Sequence, residues 1–321
     1  MRRGLIVGRF LPPHRGHGYL IEQARSLCDA LTVVIAAKEH DTPSGELRAS
    51  WLRELHPGVT VLVLDDPHDE QDPRVWAPNL RAFLGYAPEV VFSSEDYGDV
   101  FALHLGAQHV CIDRPRAAVP ISATAVRAHP LRCWEFLEPP VRAYYAKRVY
   151  LIGAESTGKT TLAMKLAEHF ATVWVPEYGR EYAASVLAHL HDYAWAAEDF
   201  ARVARRQCEL EDAAARQANR VLICDTDALA TSIWHRRYLH ERSMDVEALI
   251  ASRRAPNLYL LTDVATPFVQ DGTRDGEAIR EWMHATIVEE LTARGLPFVT
   301  LRGSFAEREA QAVGAVEGLL R

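Results

Sequence analysis

The sequence predicts an α/β protein built as two domains. Short β-branched runs alternate with segments of helical spacing, and the alternation goes through two cycles along the chain. The length of 321 residues exceeds the size at which one hydrophobic core usually stops growing. Each cycle also opens on a strand followed at once by a glycine-bearing turn and a helix, the local geometry that suits phosphate.

In the first cycle the strands are expected at 5–7, 31–36, 59–64, 90–92 and 110–112. In the second they are expected at 149–152, 221–224, 258–261 and 297–301, with a long alanine-rich helix over 198–218. The segment 129–147 carries Pro130, Pro139 and Pro140 and a polar-aromatic stretch, which places the boundary between domains 1–147 and 148–321.

Composition narrows the partners. Hydrophobic residues make up 48% and charged residues 25%, ordinary values for a folded protein. A formal net charge of -7 argues against a nucleic-acid coat or a polybasic membrane surface. No run has the length of a membrane span, and the first residues lead directly into a strand without a signal-peptide core, so the cytoplasm is expected. Cys28, Cys111, Cys133, Cys208 and Cys224 contain no CxxC pair and read as reduced structural residues. Oligomeric state is left open by the sequence.

The first strand runs into GRFLPPHRGH at 8–17. Gly8, Arg9, Phe10, His14 and His17 then lie where free amide groups and a helix dipole favour phosphate, and the imidazoles can donate to oxygens that gain charge. By themselves these residues also fit two helix-capping histidines. At the other end of the domain stands ISATAVR at 121–127, where Ser122 or Thr124 caps a helix and Arg127 faces phosphate, or serves as a solvated arginine.

Together the two motifs resemble the nucleotidyltransferase superfamily of adenylyltransferases, which have a Rossmann-like fold. Arg48 and Trp51 in the GELR segment, Ser94, Glu95 and Tyr97 in FSSEDYG, and Asp113 are similar to the nicotinamide-mononucleotide (NMN) branch. Trp51 stacks at the nicotinamide end or packs in the core. The resemblance implies in-line attack of the NMN phosphate on the ATP α-phosphate, giving NAD, with magnesium-bound pyrophosphate leaving. His14 and His17 would then lie at the α- and β-phosphates and Arg127 on the leaving group.

The second cycle opens on GAESTGKTT at 153–161, a full GxxxxGK[ST] match between strand and helix. A chance match in a chain this long is on the order of one percent before that context is counted, so the motif is taken at face value. Gly153, Glu155, Ser156, Thr157, Gly158 and Thr161 form the phosphate loop, Lys159 reaches the β- and γ-phosphates, and the Thr160 hydroxyl binds Mg2+. Asp225 ends an apolar strand and supports the metal shell or the acceptor hydroxyl. Asp227 binds the acceptor or caps the next helix.

In PEYGREY at 176–182, Glu177, Tyr178, Arg180 and Glu181 hold a ribose and ring or form a charged helix surface. Arg274, in DGTR, stabilises charge at the transferring phosphoryl group or is a solvated loop residue.

These elements resemble the ribosylnicotinamide kinase half of the bifunctional NadR-like proteins, so the resemblance covers nearly the whole chain. It implies a P-loop kinase that phosphorylates nicotinamide riboside with ATP and passes NMN to the adenylyltransferase. Some members begin with a helix-turn-helix segment; this chain reaches its first strand by Leu5, so DNA-binding repression is not expected. The competing readings are a coenzyme A synthase-like fusion and an adenylyltransferase joined to a nucleotide-sensing kinase-like domain.

Overall fold

A computed structural model describes residues 1–66, 72–187, 193–269 and 277–321. The chain forms two compact units, Met1–Val141 and Arg142–Arg321.

The first unit runs β1 (Arg3–Gly8), α1 (Arg15–Arg25), β2 (Ala30–Ala37), α2 (Gly45–Leu55), β3 (Thr60–Asp65), α3 (Pro73–Leu84), β4 (Val90–Ser93), α4 (Gly98–Leu105), β5 (Gln108–Cys111) and α5 (Ala123–Ala128). Its five strands pair in the order β3-β2-β1-β4-β5, all parallel, with Gly4 opposite both Leu31 and Val90. Successive side chains of a strand face opposite sides. Ile6, Val33 and Ile35 therefore pack with Ile21 and Leu52 of α1 and α2, while Leu5 and Val34 pack with Leu80 and Phe101 of α3 and α4. The strand order reverses between β1 and β4, which opens a crevice at their carboxyl ends.

Helix α6 (Pro139–Tyr145) begins in the first unit and ends in the second. The second unit continues β6 (Lys147–Ile152), α7 (Lys159–His169), β7 (Trp174–Val175), α8 (Tyr178–Leu187), α9 (Ala197–Ala215), β8 (Val221–Asp225), α10 (Ala228–Leu239), α11 (Met244–Ser252), β9 (Leu258–Thr262), α12 (Arg280–Ala293), β10 (Phe298–Leu301) and α13 (Phe305–Leu320). Its sheet is parallel in the order β10-β9-β6-β8-β7. Val149, Leu151 and Ile223 pack under α7 and α13 through Leu162, Leu166 and Val316. Phe200, Ala204 and Cys208 of α9 pack with Ala228 of α10 and Val246 of α11 in a separate cluster.

The expected parallel α/β sheets are present in both units. The compact units divide between Val141 and Arg142, and Lys147 belongs to β6, where it pairs with Val221. All five cysteines are free; Cys208 and Cys224 are buried, whereas Cys111 is exposed at the end of β5. Among the described residues, no helix is long and apolar enough to cross a membrane.

Candidate active sites

In the first unit, Gly8 ends β1 and Phe10 takes a left-handed backbone with φ 48°, which turns its buried ring to within 4.8 Å of the His17 ring. His14 is extended and caps α1, its Nδ1 accepting the His17 amide at 3.3 Å. That leaves Nε2 as the protonated nitrogen of a neutral His14 ring. The two imidazoles stack 3.7 Å apart.

Burial, aided by the charge of Arg116, lowers the His14 pKa to about 4. Burial, then His14 and Arg116, hold His17 well below the ordinary imidazole value. Both rings are therefore neutral near pH 7 and act as dipolar donors rather than cations. His17 Nδ1 is buried and has no hydrogen-bond partner among the described residues.

The second motif closes on the first. Ser122 caps α5 by accepting the Ala125 amide at 3.2 Å. Arg127 donates to the Leu11 carbonyl at 2.7 Å and to Thr124 Oγ1 at 3.0 Å, which ties 121–127 to the loop after β1. Arg9 pairs with Asp41 at 2.5 Å and remains partly exposed.

The residues expected at the nicotinamide end divide into two groups. Tyr97 is 49% exposed, with its hydroxyl 3.4 Å from the Val7 carbonyl, and Glu95 pairs with Arg116 at 2.7 Å, so the loop after β4 lies beside β1. Ser94 is partly exposed in the same loop. Arg48, by contrast, is 0% exposed: it donates to Asp41 at 2.7 Å, to the Ser44 carbonyl at 3.2 Å and to the Arg9 carbonyl. Its guanidinium thereby ties together the loops after β1 and β2. Trp51 is buried as well, at 6%. Asp113 accepts the Ala117 and Ala118 amides at 2.8 and 3.0 Å and so holds its own turn.

In the second unit the phosphate loop joins β6 to α7. Gly153 has φ 153°, and a Cβ there would stand 2.1 Å from Thr262 Oγ1, so the loop is pressed against the end of β9. Ser156 has φ 59° and Gly158 φ 82°. Ser156 Oγ accepts the Val269 amide at 2.8 Å, and Thr157 is buried, donating to the Ala154 carbonyl at 2.8 Å. Arg308 of α13 donates to the Thr157 carbonyl at 2.6 Å. Lys159 Nζ lies 3.0 and 2.9 Å from the Gly153 and Ala154 carbonyls. Thr161 is exposed on the first turn of α7.

Thr160 Oγ1 donates to Asp225 Oδ2 at 2.5 Å, while Asp225 Oδ1 is buried without a hydrogen-bond partner among the described residues. Burial raises the Asp225 carboxyl even though Lys159 and Thr160 oppose it. A hydroxyl and an orphaned carboxylate oxygen are hard donors of the kind magnesium takes. Among the described residues there is no cluster of three His, Cys, Asp or Glu that would cage a metal.

Beside this loop opens a cavity of about 700 Å3. Gly153, Glu155 and Lys159 line one side of it, with Glu177 and Arg180. Tyr193, Trp195, Phe200, Trp234 and Tyr238 form an aromatic wall, with Trp195 5.9 Å from Phe200 and 5.8 Å from Tyr238. Asp199 braces that wall, accepting the Tyr193 hydroxyl at 2.7 Å, the Tyr182 hydroxyl at 2.6 Å and the Ala196 amide at 2.9 Å. Burial raises the Glu177 carboxyl against the pull of Lys159.

Tyr178, Glu181 and Asp227 are not brought to the cavity. Tyr178 gives its amide to Gln207 at 2.9 Å, and Glu181 is exposed on α8. Asp227 caps α10 through the Ala230 amide at 3.0 Å and accepts the buried Tyr259 hydroxyl at 2.5 Å, so of its two expected roles the structure shows the cap. Arg274 and its DGTR loop lie outside the described residues. The aromatic wall and Asp199 were missed at the sequence level, where the only signal was a local richness in aromatic residues.

A family model described as an AAA domain matches residues 148–308. Two curated relatives, from Salmonella typhimurium and Escherichia coli, both described as trifunctional NAD biosynthesis/regulator protein NadR, are each 30% identical to this chain. The alignments cover 93% and 92% of the chain and 78% of each relative. The chain belongs to the NadR family. Two crystal structures of NadR protein, one in complex with NR and one with NAD and AMP-PNP, share the fold of this NadR-family chain. Their TM-scores are 0.83 and 0.79 at 24% and 23% identity, over 99% of this chain and 96% of theirs.

Proposed function

We propose that this NadR-family chain makes NAD from nicotinamide riboside in two ATP-dependent steps, one in each unit. The observation that carries the reading is the pairing of a nucleotide-type phosphate loop with an aromatic-walled cavity at its side. Such a cavity offers stacking faces to a flat, cationic pyridinium ring. The kinship supports it: the curated relatives are NAD biosynthesis proteins, and the similar crystal structures hold NR, and NAD with AMP-PNP.

In the kinase step the riboside 5′-hydroxyl oxygen attacks the ATP γ-phosphorus, and the bond to the β–γ bridging oxygen breaks to release ADP. Lys159 leaves the Gly153 and Ala154 carbonyls for the β- and γ-phosphates. Glu177 lines the cavity, and its raised carboxyl suits it to take the hydroxyl proton. Arg180, on the same wall, balances the transferring charge. Thr160 and Asp225 would hold a magnesium ion, which when bound neutralises charge on the phosphates.

The first unit is read as a Rossmann-like nucleotidyltransferase. An NMN phosphate oxygen attacks the ATP α-phosphorus, NAD forms, and pyrophosphate leaves. His14 and His17, neutral and preorganised by their stack, donate to oxygens that gain charge, so little reorganisation accompanies the reaction. Arg127 spends two bonds on tying the motifs together, and its remaining donors are available to the leaving pyrophosphate. The loop after β4, with Ser94, Glu95 and Tyr97, takes the nicotinamide end.

Purified chain is incubated with ATP, magnesium and nicotinamide riboside, and in parallel with ATP, magnesium and NMN, with products separated by chromatography. NAD from both starts is the expected outcome. NAD from NMN alone overturns the kinase acceptor, and NAD from neither overturns the whole reading.

A further inference from the structure

In the first unit, Ser93 Oγ lies 2.9 Å from His109 Nε2, and His109 Nδ1 lies 2.6 Å from Asp99 Oδ1. The three residues come from the end of β4, the strand β5 and the first turn of α4. A carboxylate only accepts, so Nδ1 carries the hydrogen given to Asp99, while Nε2 meets the Ser93 hydroxyl. Ser93 Oγ in turn accepts the Glu95 amide at 3.4 Å. The contacts link the Glu95 backbone through Ser93 and His109 to Asp99.

Gly98 supplies a second, independent observation. A Cβ there would stand 2.1 Å from His109 Nε2 and 2.4 Å from Ser93 Oγ, so the chain leaves out a side chain where the ring closes on the loop. The order of residues is that of a hydrolytic triad, but Ser93 is only 5% exposed and its Oγ also lies 3.2 Å from the Glu95 carbonyl. A nucleophile needs an open face toward its substrate. Ser93 is enclosed by its own loop.

We infer that Asp99, His109 and Ser93 form a hydrogen-bond relay that fixes the 93–98 loop and thereby positions NMN in the first site. The inference rests on the adenylyltransferase reading for its ligand, and on the structure alone for the loop. The same loop holds Glu95, which pairs with Arg116 at 2.7 Å. His109 is a positioning residue; it does its work through the Glu95 backbone.

The test uses the full chain, with His109→Phe to remove both ring bonds, His109→Gln to return an acceptor at the Nε2 position, and Asp99→Ala. Asp99 is 84% exposed, so the last variant keeps the fold while cutting the relay at its end. Hydrogen exchange of the 93–98 amides and steady-state kinetics in NMN and ATP are measured together. His109→Phe is expected to speed exchange of the loop and to raise KM for NMN about tenfold, with kcat and the ATP KM within about twofold, since both ring hydrogen bonds are lost. Asp99→Ala moves both readouts in the same direction by less, and His109→Gln restores both.

Unchanged exchange in His109→Phe and Asp99→Ala overturns the relay. So does a parallel fall in kcat and rise in both KM values without rescue by His109→Gln, or labelling of Ser93 by a fluorophosphonate. Should the parent chain turn over no NMN, the adenylyltransferase reading falls, while exchange that quickens in the variants and recovers in His109→Gln still upholds the relay.

Discussion

Glu211 is 1% exposed, and burial, reinforced by the charge of Asp227, raises its carboxyl from 4.5 to about 7 despite Tyr150, Arg253 and Arg148. Between those values the folded chain binds more protons than the unfolded one. The stability tied to this group is thus full below about pH 4.5 and is lost as pH rises through about 7. Glu211→Gln cannot ionise but keeps an oxygen for the Tyr150 hydroxyl, which now lies 2.8 Å from the carboxylate. From about pH 5 to about pH 8 the variant should gain on the parent by roughly 1–3 kcal/mol in denaturant unfolding. A difference that does not change with pH would remove this account. Legibility at this scale follows locality. His14, His17, Lys159 and Thr160 sit in short motifs whose spacing alone places them on a turn, so they could be read directly. Arg48 could not: its burial depends on Asp41 and on the Arg9 carbonyl, 7 and 39 residues away.

At the scale of elements, the turn from β6 into α7 works only because it lies flat against Thr262 of β9. Gly153→Ala combines a φ of 153° with a Cβ 2.1 Å from Thr262 Oγ1, so the loop must leave its place. Riboside phosphorylation should fall by roughly 10²-fold or more, as when a preorganised phosphate donor is lost, while NMN adenylylation stays at the parent rate. Equal riboside turnover in the variant, followed as ADP release, would show that the loop tolerates the methyl group. The strands themselves were legible because β-branched runs bounded by turn residues leave few alternatives. The cavity wall was not. Phe200, Val203 and Gln207 fall on one face of α9, and that spacing reads as an ordinary core-facing helix until α10 brings Trp234 and Tyr238 opposite it.

At the scale of the molecule, each compact unit has its own sheet, its own core and its own set of polar side chains at the strand ends. Lys159→Ala should therefore abolish riboside phosphorylation and leave adenylylation of supplied NMN intact, and His17→Ala should do the reverse. Separate assays with each intermediate, alongside circular dichroism, check this; loss of both activities in either folded variant would contradict independent sites. The two-domain plan was legible from length and the repeated strand–helix alternation. The point of division was less so, because the prolines of 129–147 mark a region and only the pairing of Lys147 with Val221 shows where the second sheet begins. The bond from Arg308 to the Thr157 carbonyl spans 151 residues and makes the last helix part of the frame around the phosphate loop. For anyone trimming this protein to a minimal kinase, the sequence motif at 153–161 is therefore a misleading guide. A fragment that keeps every motif residue but stops before α13 would lack both the guanidinium beneath the loop and the packing of Val316, so the smallest transferable unit is set by the chain's last helix.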